Sequence, residues 1–185
     1  MVQNVLPQLD NNQVISLWSI NPRNLKTTMA QSLAYSIAKS YTDEKVIVVG
    51  VSVDNPALAH LIRSEDNIFD MLIPTVENGA VDNTVLASAI YTHPEFANLH
   101  VLGGLGDKSL FNSITEDFMT SLLTTLKEQY KYIILDVGSS LLSVPNIIAL
   151  RNSDLVINIV DKDITSFIYG WSNAKQMLKS FGISV

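Results

Sequence analysis

Short apolar runs rich in β-branched residues alternate with longer helical patterns along most of this 185-residue chain. A strand that is apolar at every position, rather than at every second one, is typical of a parallel sheet covered on both faces. These runs occupy residues 14–18, 45–51, 99–102, 132–136 and 155–160, and residues 182–185 predict one more short strand. Their alternation with helices predicts an α/β fold, doubly wound, with a mainly parallel sheet and helices on both faces.

The helical periodicity is clearest over residues 26–40, 113–129 and 165–180. Residues 54–93 predict two or three short helices, interrupted at Pro74 and Gly79. A length of 185 residues and a hydrophobic content of 47% are enough for one domain with a full core. We therefore predict a single domain over residues 1–185, with residues 1–12 as a polar lead-in.

Composition excludes several classes of function. The net charge is −6 and charged residues make up only 16% of the chain, so no specific nucleic-acid binding is predicted. The absence of cysteine excludes disulfides and thiolate metal sites and fits a reducing compartment. The first residues lack the pattern of a secretory signal, and no apolar run approaches the roughly 18 residues of a membrane span. We expect a cytoplasmic protein without a membrane segment in this chain.

The loop after the first predicted strand lies where a phosphate-binding loop would lie, because doubly wound sheets bind ligands beyond the carboxyl ends of their strands. It leads directly into a helix that begins with Lys26, which can neutralise phosphate charge, and Thr27, whose hydroxyl can hold Mg²⁺. The usual glycines are absent, and Leu25 directly precedes the lysine. The candidate nucleotide-binding residues are Asn24, Leu25, Lys26, Thr27 and Thr28. The alternative is that Lys26 and Thr27 merely open a solvated helix.

A second candidate is the aspartate that ends the predicted strand over residues 132–136. A carboxylate at the end of a buried strand is the Walker B arrangement, which lies beside the Mg²⁺ of a phosphoryl-transfer site. Thr27 and Asp136 are therefore the candidate magnesium residues. An ordinary strand-end aspartate is the alternative.

The glycine-rich segment over residues 103–109 has only a superficial similarity to a phosphate loop. Asp107 separates its glycines from Lys108, and a carboxylate there repels phosphate. The next helical periodicity also begins several residues later, so no helix N-terminus faces an anion at this point. We predict a surface turn.

Together these segments resemble the ParA/MinD family of deviant Walker ATPases, including its CpaE/TadZ branch that places bacterial pili, over residues 14–185. Lys26, Thr27 and Thr28 match the family's Lys-Thr-Thr signature, whereas Asn21 stands where the family has an additional lysine. The resemblance implies ATP or ADP with Mg²⁺ as cofactor and a homodimer as the working form. It also implies that family elements following the matched region are missing from this chain.

The switch region departs from the family pattern. The two switch acids of the family fall on Gly50 and Ser52, and Asp54 lies two residues further on. Ser52 and Asp54 are therefore the candidate switch residues, and no catalytic residue is assigned. The departure implies weak or absent ATP hydrolysis.

The function implied by the resemblance is that of a ParA/MinD-like ATPase homologue in the positioning or assembly of a pilus, secretion, division or partition apparatus. Its partners would be proteins of that system, which could attach it to the inner face of the membrane. The alternative is a pseudo-ATPase scaffold or dimerisation module that binds no nucleotide. A slow ATPase or a relative of the tyrosine kinases that share this fold is a third hypothesis.

Overall fold

The computed structural model describes residues 12–22, 25–52, 58, 69–75, 81–160 and 164–183, and for residues 164–167 and 169 it describes the backbone alone. The strands of the described chain are β1 (Gln13–Trp18), β2 (Val46–Gly50), β3 (Tyr91–Thr92), β4 (Leu99–Leu102), β5 (Tyr132–Asp136) and β6 (Leu155–Asn158). The helices of the described chain are α1 (Lys26–Ser40), α2 (Asn83–Ala89), α3 (Glu116–Gln129), α4 (Val144–Arg151) and α5 (Ile164–Ser180). None of the described helices combines the length and the apolar character that a membrane crossing requires.

The described strands form a six-stranded sheet in the order β3-β4-β2-β5-β1-β6. All neighbouring pairs run parallel except β3 and β4, which are antiparallel. Strand β5 lies between β1 and β2, so the loops that follow these three strands leave the sheet side by side. The predicted doubly wound, mainly parallel α/β class is confirmed.

Helices cover both faces of the sheet, and each of the central strands contributes to both cores. In β2, Ile47 and Val49 join one hydrophobic cluster, while Val46 and Val48 join the other. Helix α1 packs on the second cluster, and α2 to α5 pack on the first. Burial of both faces explains why these strands read as continuous apolar runs.

The structure adds elements that the sequence patterns did not predict. Strand β3 has two residues and lies at the edge of the sheet, and α4 follows the loop after β5. Strand β6 ends at Asn158 rather than at residue 160. Gly182, where the last strand was predicted to begin, lies in the turn that ends α5, and its N–H donates to the Lys179 carbonyl; residues 184–185 of that predicted strand lie outside the described residues.

Part of the region predicted as two or three short helices lies outside the described residues, including residues 54–57 and 59–68. Its described part contains two 3₁₀ helices, Phe69–Met71 and Ile73–Thr75, followed by α2. Asp82 caps α2, because its carboxylate accepts the N–H groups of Thr84 and Val85.

The glycine-rich loop after β4 is held by its own chain. The two carboxylate oxygens of Asp70 accept the N–H groups of Gly106 at 2.9 Å and Asp107 at 2.6 Å. Gly104 has φ +89°, and a Cβ there would lie 2.2 Å from the Gly50 carbonyl oxygen. The loop therefore packs directly against the end of β2, and a carboxylate already occupies two of its amides.

This packing predicts that Gly104→Ala is costly. The left-handed backbone adds about 1–2 kcal/mol of strain for alanine, and the contact with Gly50 adds more. Gly182→Ala is the matched control, because Gly182 has φ +75° but no atom within 4 Å of the place where a Cβ would lie. Urea unfolding should show a larger loss of stability for Gly104→Ala. Equal losses in the two variants would contradict the close contact.

Candidate functional site

The carboxyl end of β5 is hydrogen-bonded to the ends of its two neighbouring strands, β1 and β2. The N–H groups of Val51 and Ser52 donate to the Asp136 carbonyl at 3.0 and 3.2 Å. On the other side, the Val137 N–H donates to the Leu17 carbonyl at 3.0 Å. The ends of β1, β2 and β5 are therefore tied together at Asp136.

Leu25 gives the loop after β1 its turn into α1. Its φ is 64° and its ψ 15°, which is a left-handed conformation, and no other non-glycine residue of the described chain has a positive φ. Its carbonyl accepts the Met29 N–H at 2.9 Å, and its side chain is 71% exposed. Leu25 thus adopts the backbone conformation for which glycine is the usual residue, and it does so at a cost in strain.

The first two residues of α1 reach the loop after β5. The Thr27 hydroxyl donates to Asp136 Oδ2 at 2.6 Å. Lys26 Nζ donates to Ser139 Oγ at 2.9 Å. The structure thus brings together the lysine, the hydroxyl and the carboxylate that the sequence patterns singled out separately.

Burial perturbs both charged groups of this cluster. It raises the pKa of Asp136 above the ordinary carboxyl value, although the Thr27 hydrogen bond and the Lys26 charge counteract part of the rise. Burial lowers the pKa of Lys26, and the charge of Asp136 counteracts part of that fall. Desolvation outweighs mutual attraction at both groups, so the pair is held together at an energetic cost. Perturbed titrating groups of this kind are typical of functional sites.

Asp136 also has a free acceptor. Its Oδ1 is buried and has no hydrogen-bond partner among the described residues. An unpaired buried carboxylate oxygen is unfavourable, whereas Mg²⁺ and its water ligands bind such oxygens well. Thr27 and Asp136 therefore fit a magnesium ion, with Lys26 beside it for an anionic ligand.

The other candidate residues are placed less closely or lie outside the described chain. Ser52 lies at the site through its hydrogen bond to the Asp136 carbonyl, whereas Asp54 and Asn24 fall outside the described residues. Thr28 is exposed on α1, and its carbonyl accepts the Ser32 hydroxyl at 2.8 Å.

Two residues of the site were not identified as candidates from the sequence. Ser139 lies in the loop that follows the predicted strand over residues 132–136, but nothing in the sequence predicted its contact with Lys26. Asn146 is completely buried in α4 and bonds to the same loop through Gly138 and Ser140. A lone asparagine in an apolar helix has no motif that could have identified it.

Comparison with known families gives a match to the AAA domain over residues 13–181. The chain belongs to this family. A search of curated proteins found no significant match.

Solved structures of this family's fold are similar over nearly the whole chain. The septum site-determining protein MinD of Pyrococcus horikoshii, complexed with Mg-ADP, matches with a TM-score of 0.71 and 20% identity over 94% of this chain and 67% of its own. A plasmid partition protein of Borrelia burgdorferi gives 0.68 and 20% over 93% and 75%. The kinase domain of the Escherichia coli tyrosine kinase ETK gives 0.74 and 19% over 94% and 64%.

These matches confirm the resemblance to ParA/MinD-like P-loop ATPases, and at this level of identity the structural likeness concerns the fold. The chain spans 64–75% of the length of these three proteins. They include a septum-site protein and a partition protein as well as a kinase, so the family alone leaves this chain's task open.

The strain at Leu25 predicts that Leu25→Gly stabilises the protein. Glycine removes the strain of the left-handed backbone, but it also loses more conformational entropy on folding than leucine does. The net gain in the free energy of unfolding is about 0.5–1 kcal/mol. Leu142→Gly is the control, because Leu142 is 80% exposed and has no positive φ. Urea unfolding should show a gain for the first variant and a loss for the second. A loss in both variants would contradict the strain.

The burial of Asp136 predicts a pH-dependent gain in stability for Asp136→Asn. Because the folded-state pKa is raised, the wild type loses stability as the pH rises from about 4 through that raised value, and the loss is complete above it. The variant should therefore exceed the wild type in unfolding free energy at neutral pH, and this advantage should shrink towards pH 4.

Asp82→Asn is the control of opposite sign. Hydrogen bonds from the backbone of Val85 and Thr84 lower the pKa of Asp82, so its contribution is present above the ordinary carboxyl pKa and is lost in acid. That variant should lose stability at neutral pH. Urea unfolding across the pH range measures both, and an Asp136→Asn difference that does not change with pH would refute the effect of burial.

Proposed function

We propose that this protein is a ParA/MinD-like ATPase homologue that binds Mg-ATP or Mg-ADP and hydrolyses ATP weakly or not at all. The observation that carries the proposal is the cluster of Lys26, Thr27 and Asp136, in which the Thr27 hydroxyl lies 2.6 Å from the carboxylate. In this arrangement Lys26 would contact the β- and γ-phosphates of the nucleotide, and Thr27 and Asp136 would hold the magnesium ion, Asp136 through a water.

The backbone at Leu25 supports nucleotide binding. A phosphate loop requires a tight turn that directs its amides towards the anion, and this turn normally depends on glycine. Leu25 takes the left-handed conformation in spite of its side chain, which is mostly exposed rather than packed into the fold. The loss of this glycine is therefore compatible with a phosphate loop that has kept its turn.

The switch region supports weak hydrolysis. Gly50 and Ser52 occupy the family's acidic positions, and neither can accept a proton from an attacking water at neutral pH. Ser52 donates its backbone N–H to the Asp136 carbonyl, so this neutral residue lies directly at the site. The bound magnesium ion would supply charge stabilisation, and a general base would still be needed for rapid turnover.

We further propose that the protein works as a homodimer whose interface lies at the carboxyl ends of the strands. Three large apolar side chains are exposed in or beside the loops that follow β1 and β5: Leu25 at 71%, Leu142 at 80% and Val144 at 44%. Exposed apolar residues grouped beside a functional site favour a contact with another protein surface. The dimer would serve in the cytoplasm in positioning or assembling an apparatus such as a pilus, secretion, division or partition system.

A non-catalytic scaffold is the second candidate. The lost glycines and the exposed Leu25 favour it, because a leucine side chain beside the phosphates can keep a nucleotide away. In that case the same exposed apolar residues would carry the function through protein partners, and Lys26 and Asp136 would remain a costly but unused pair.

Calorimetric titration with Mg-ATP and a non-hydrolysable analogue distinguishes the two candidates. We expect saturable binding that weakens at least about tenfold in Lys26→Ala, the cost of losing a charged hydrogen bond. Lys39→Ala is the control, because Lys39 is exposed in the last turn of the same helix. Wild-type protein that gives no heat at millimolar nucleotide would refute nucleotide binding and favour the scaffold. Equal affinity in Lys26→Ala would refute the assigned site.

A further inference from the structure

The fully buried side chain of Asn146 bonds to the loop after β5 with both ends of its amide. Its Oδ1 accepts the Gly138 N–H at 3.1 Å, and its Nδ2 donates to the Ser140 carbonyl at 2.8 Å. A buried amide that satisfies a donor and an acceptor of one short loop holds that loop in a defined conformation.

The contact is also close enough to leave little freedom. A Cβ on Gly138 would lie 2.8 Å from Asn146 Nδ2 and 3.1 Å from Oδ1. Residue 138 therefore has to be glycine for the amide to approach. Ser139 is fixed in place because both of its neighbours are held by the same side chain.

Ser139 in turn holds the ammonium group of the site. Lys26 has a flexible four-carbon stem, so each acceptor that bonds its Nζ narrows the range of positions the ammonium group can take. The hydrogen bond of 2.9 Å to Ser139 Oγ restricts it to the neighbourhood of Asp136, whose charge acts on it. A chain of contacts thus connects α4 to the first residue of α1.

We propose that Asn146 is a positioning residue of this site: by fixing Gly138 and Ser140 it aligns Ser139, which in turn sets the position of the Lys26 ammonium group. Its effect on nucleotide affinity rests on the proposed function. Its effect on Lys26 itself does not, because the contacts are present in the protein without nucleotide.

The test uses variants that break the chain of contacts at different points. Asn146→Ala removes the amide, Gly138→Ala pushes it away with a methyl group, and Ser139→Ala removes the acceptor. Asn152→Ala is the matched control, because Asn152 is a half-buried asparagine at the end of the same helix whose Nδ2 donates to the Ile148 carbonyl at 2.9 Å.

The first readout is the NMR signal of the Lys26 side chain, assigned by its disappearance in Lys26→Arg. We expect the Cε and Nζ chemical shifts of Lys26 to move towards those of the exposed Lys39 in all three variants. The double variant Gly138→Ala, Asn146→Ala should show no further shift beyond either single one, since both act through one contact. Asn152→Ala should leave the Lys26 signal unchanged, even if this variant is less stable than the wild type.

The second readout is affinity for Mg-ATP. Asn146→Ala should weaken it about tenfold, as is usual when a residue that orients a ligand-binding group is removed, whereas Asn152→Ala should retain wild-type affinity. Unchanged Lys26 signals in the folded variants would overturn the inference. If the wild type binds no Mg-ATP, the proposed function fails, and the Lys26 signals still decide the role of Asn146. If Asn146→Ala does not fold, Gly138→Ala, which displaces the same amide, provides the decision on Asn146.

Discussion

A carboxylate lies at the end of the central strand β5, where it is almost completely removed from water. The backbone of Asp136 is bonded to the end of β2, and the next residue is bonded to the end of β1. The three loops therefore leave the sheet at one point, and whatever they carry must meet there. The carboxylate has to be accommodated by its neighbours, and the Thr27 hydroxyl and the Lys26 charge do this only in part. The geometry of the site follows from this one constraint.

Several energetic costs of the described structure meet at this site. Asp136 and Lys26 are both held with perturbed pKa values, Asp136 Oδ1 is left without a partner in the described chain, and Leu25 is held in a left-handed conformation. Strain and unpaired polar groups persist only where the surrounding structure determines them strongly. Here two hydrophobic clusters on opposite faces of the sheet supply that support. A ligand that carries both anionic groups and a cation would relieve the costs at Lys26 and Asp136, which is the physical basis for proposing a nucleotide at this site.

Much of the fold was predictable because its central strands are buried on both faces. Runs such as residues 45–51 are apolar nearly throughout, and a covered parallel sheet explains them. Strand β3 could not be predicted in this way, since two residues are too short to show a period. Helix α4 was also missed, because its eight residues are buried on several sides and show no polar face. The role of Asp70 was equally hidden, as its carboxylate acts on amides 36 and 37 residues away.

The sequence by itself determined the types and order of the functional groups: a lysine and a threonine at the start of the first helix, and an aspartate at the end of a buried strand. Those residues identify themselves by their position relative to an element, which is a local property of the chain. Only the tertiary structure decided which groups meet, because the contacts of Thr27 with Asp136 and of Lys26 with Ser139 join residues 109 and 113 positions apart. It also decided that Leu25 adopts the left-handed backbone conformation usual for glycine and that the Asn146 amide bonds to the loop that contains Ser139. Such roles depend on how strands are ordered and how closely a helix packs on a loop, and no local pattern encodes either.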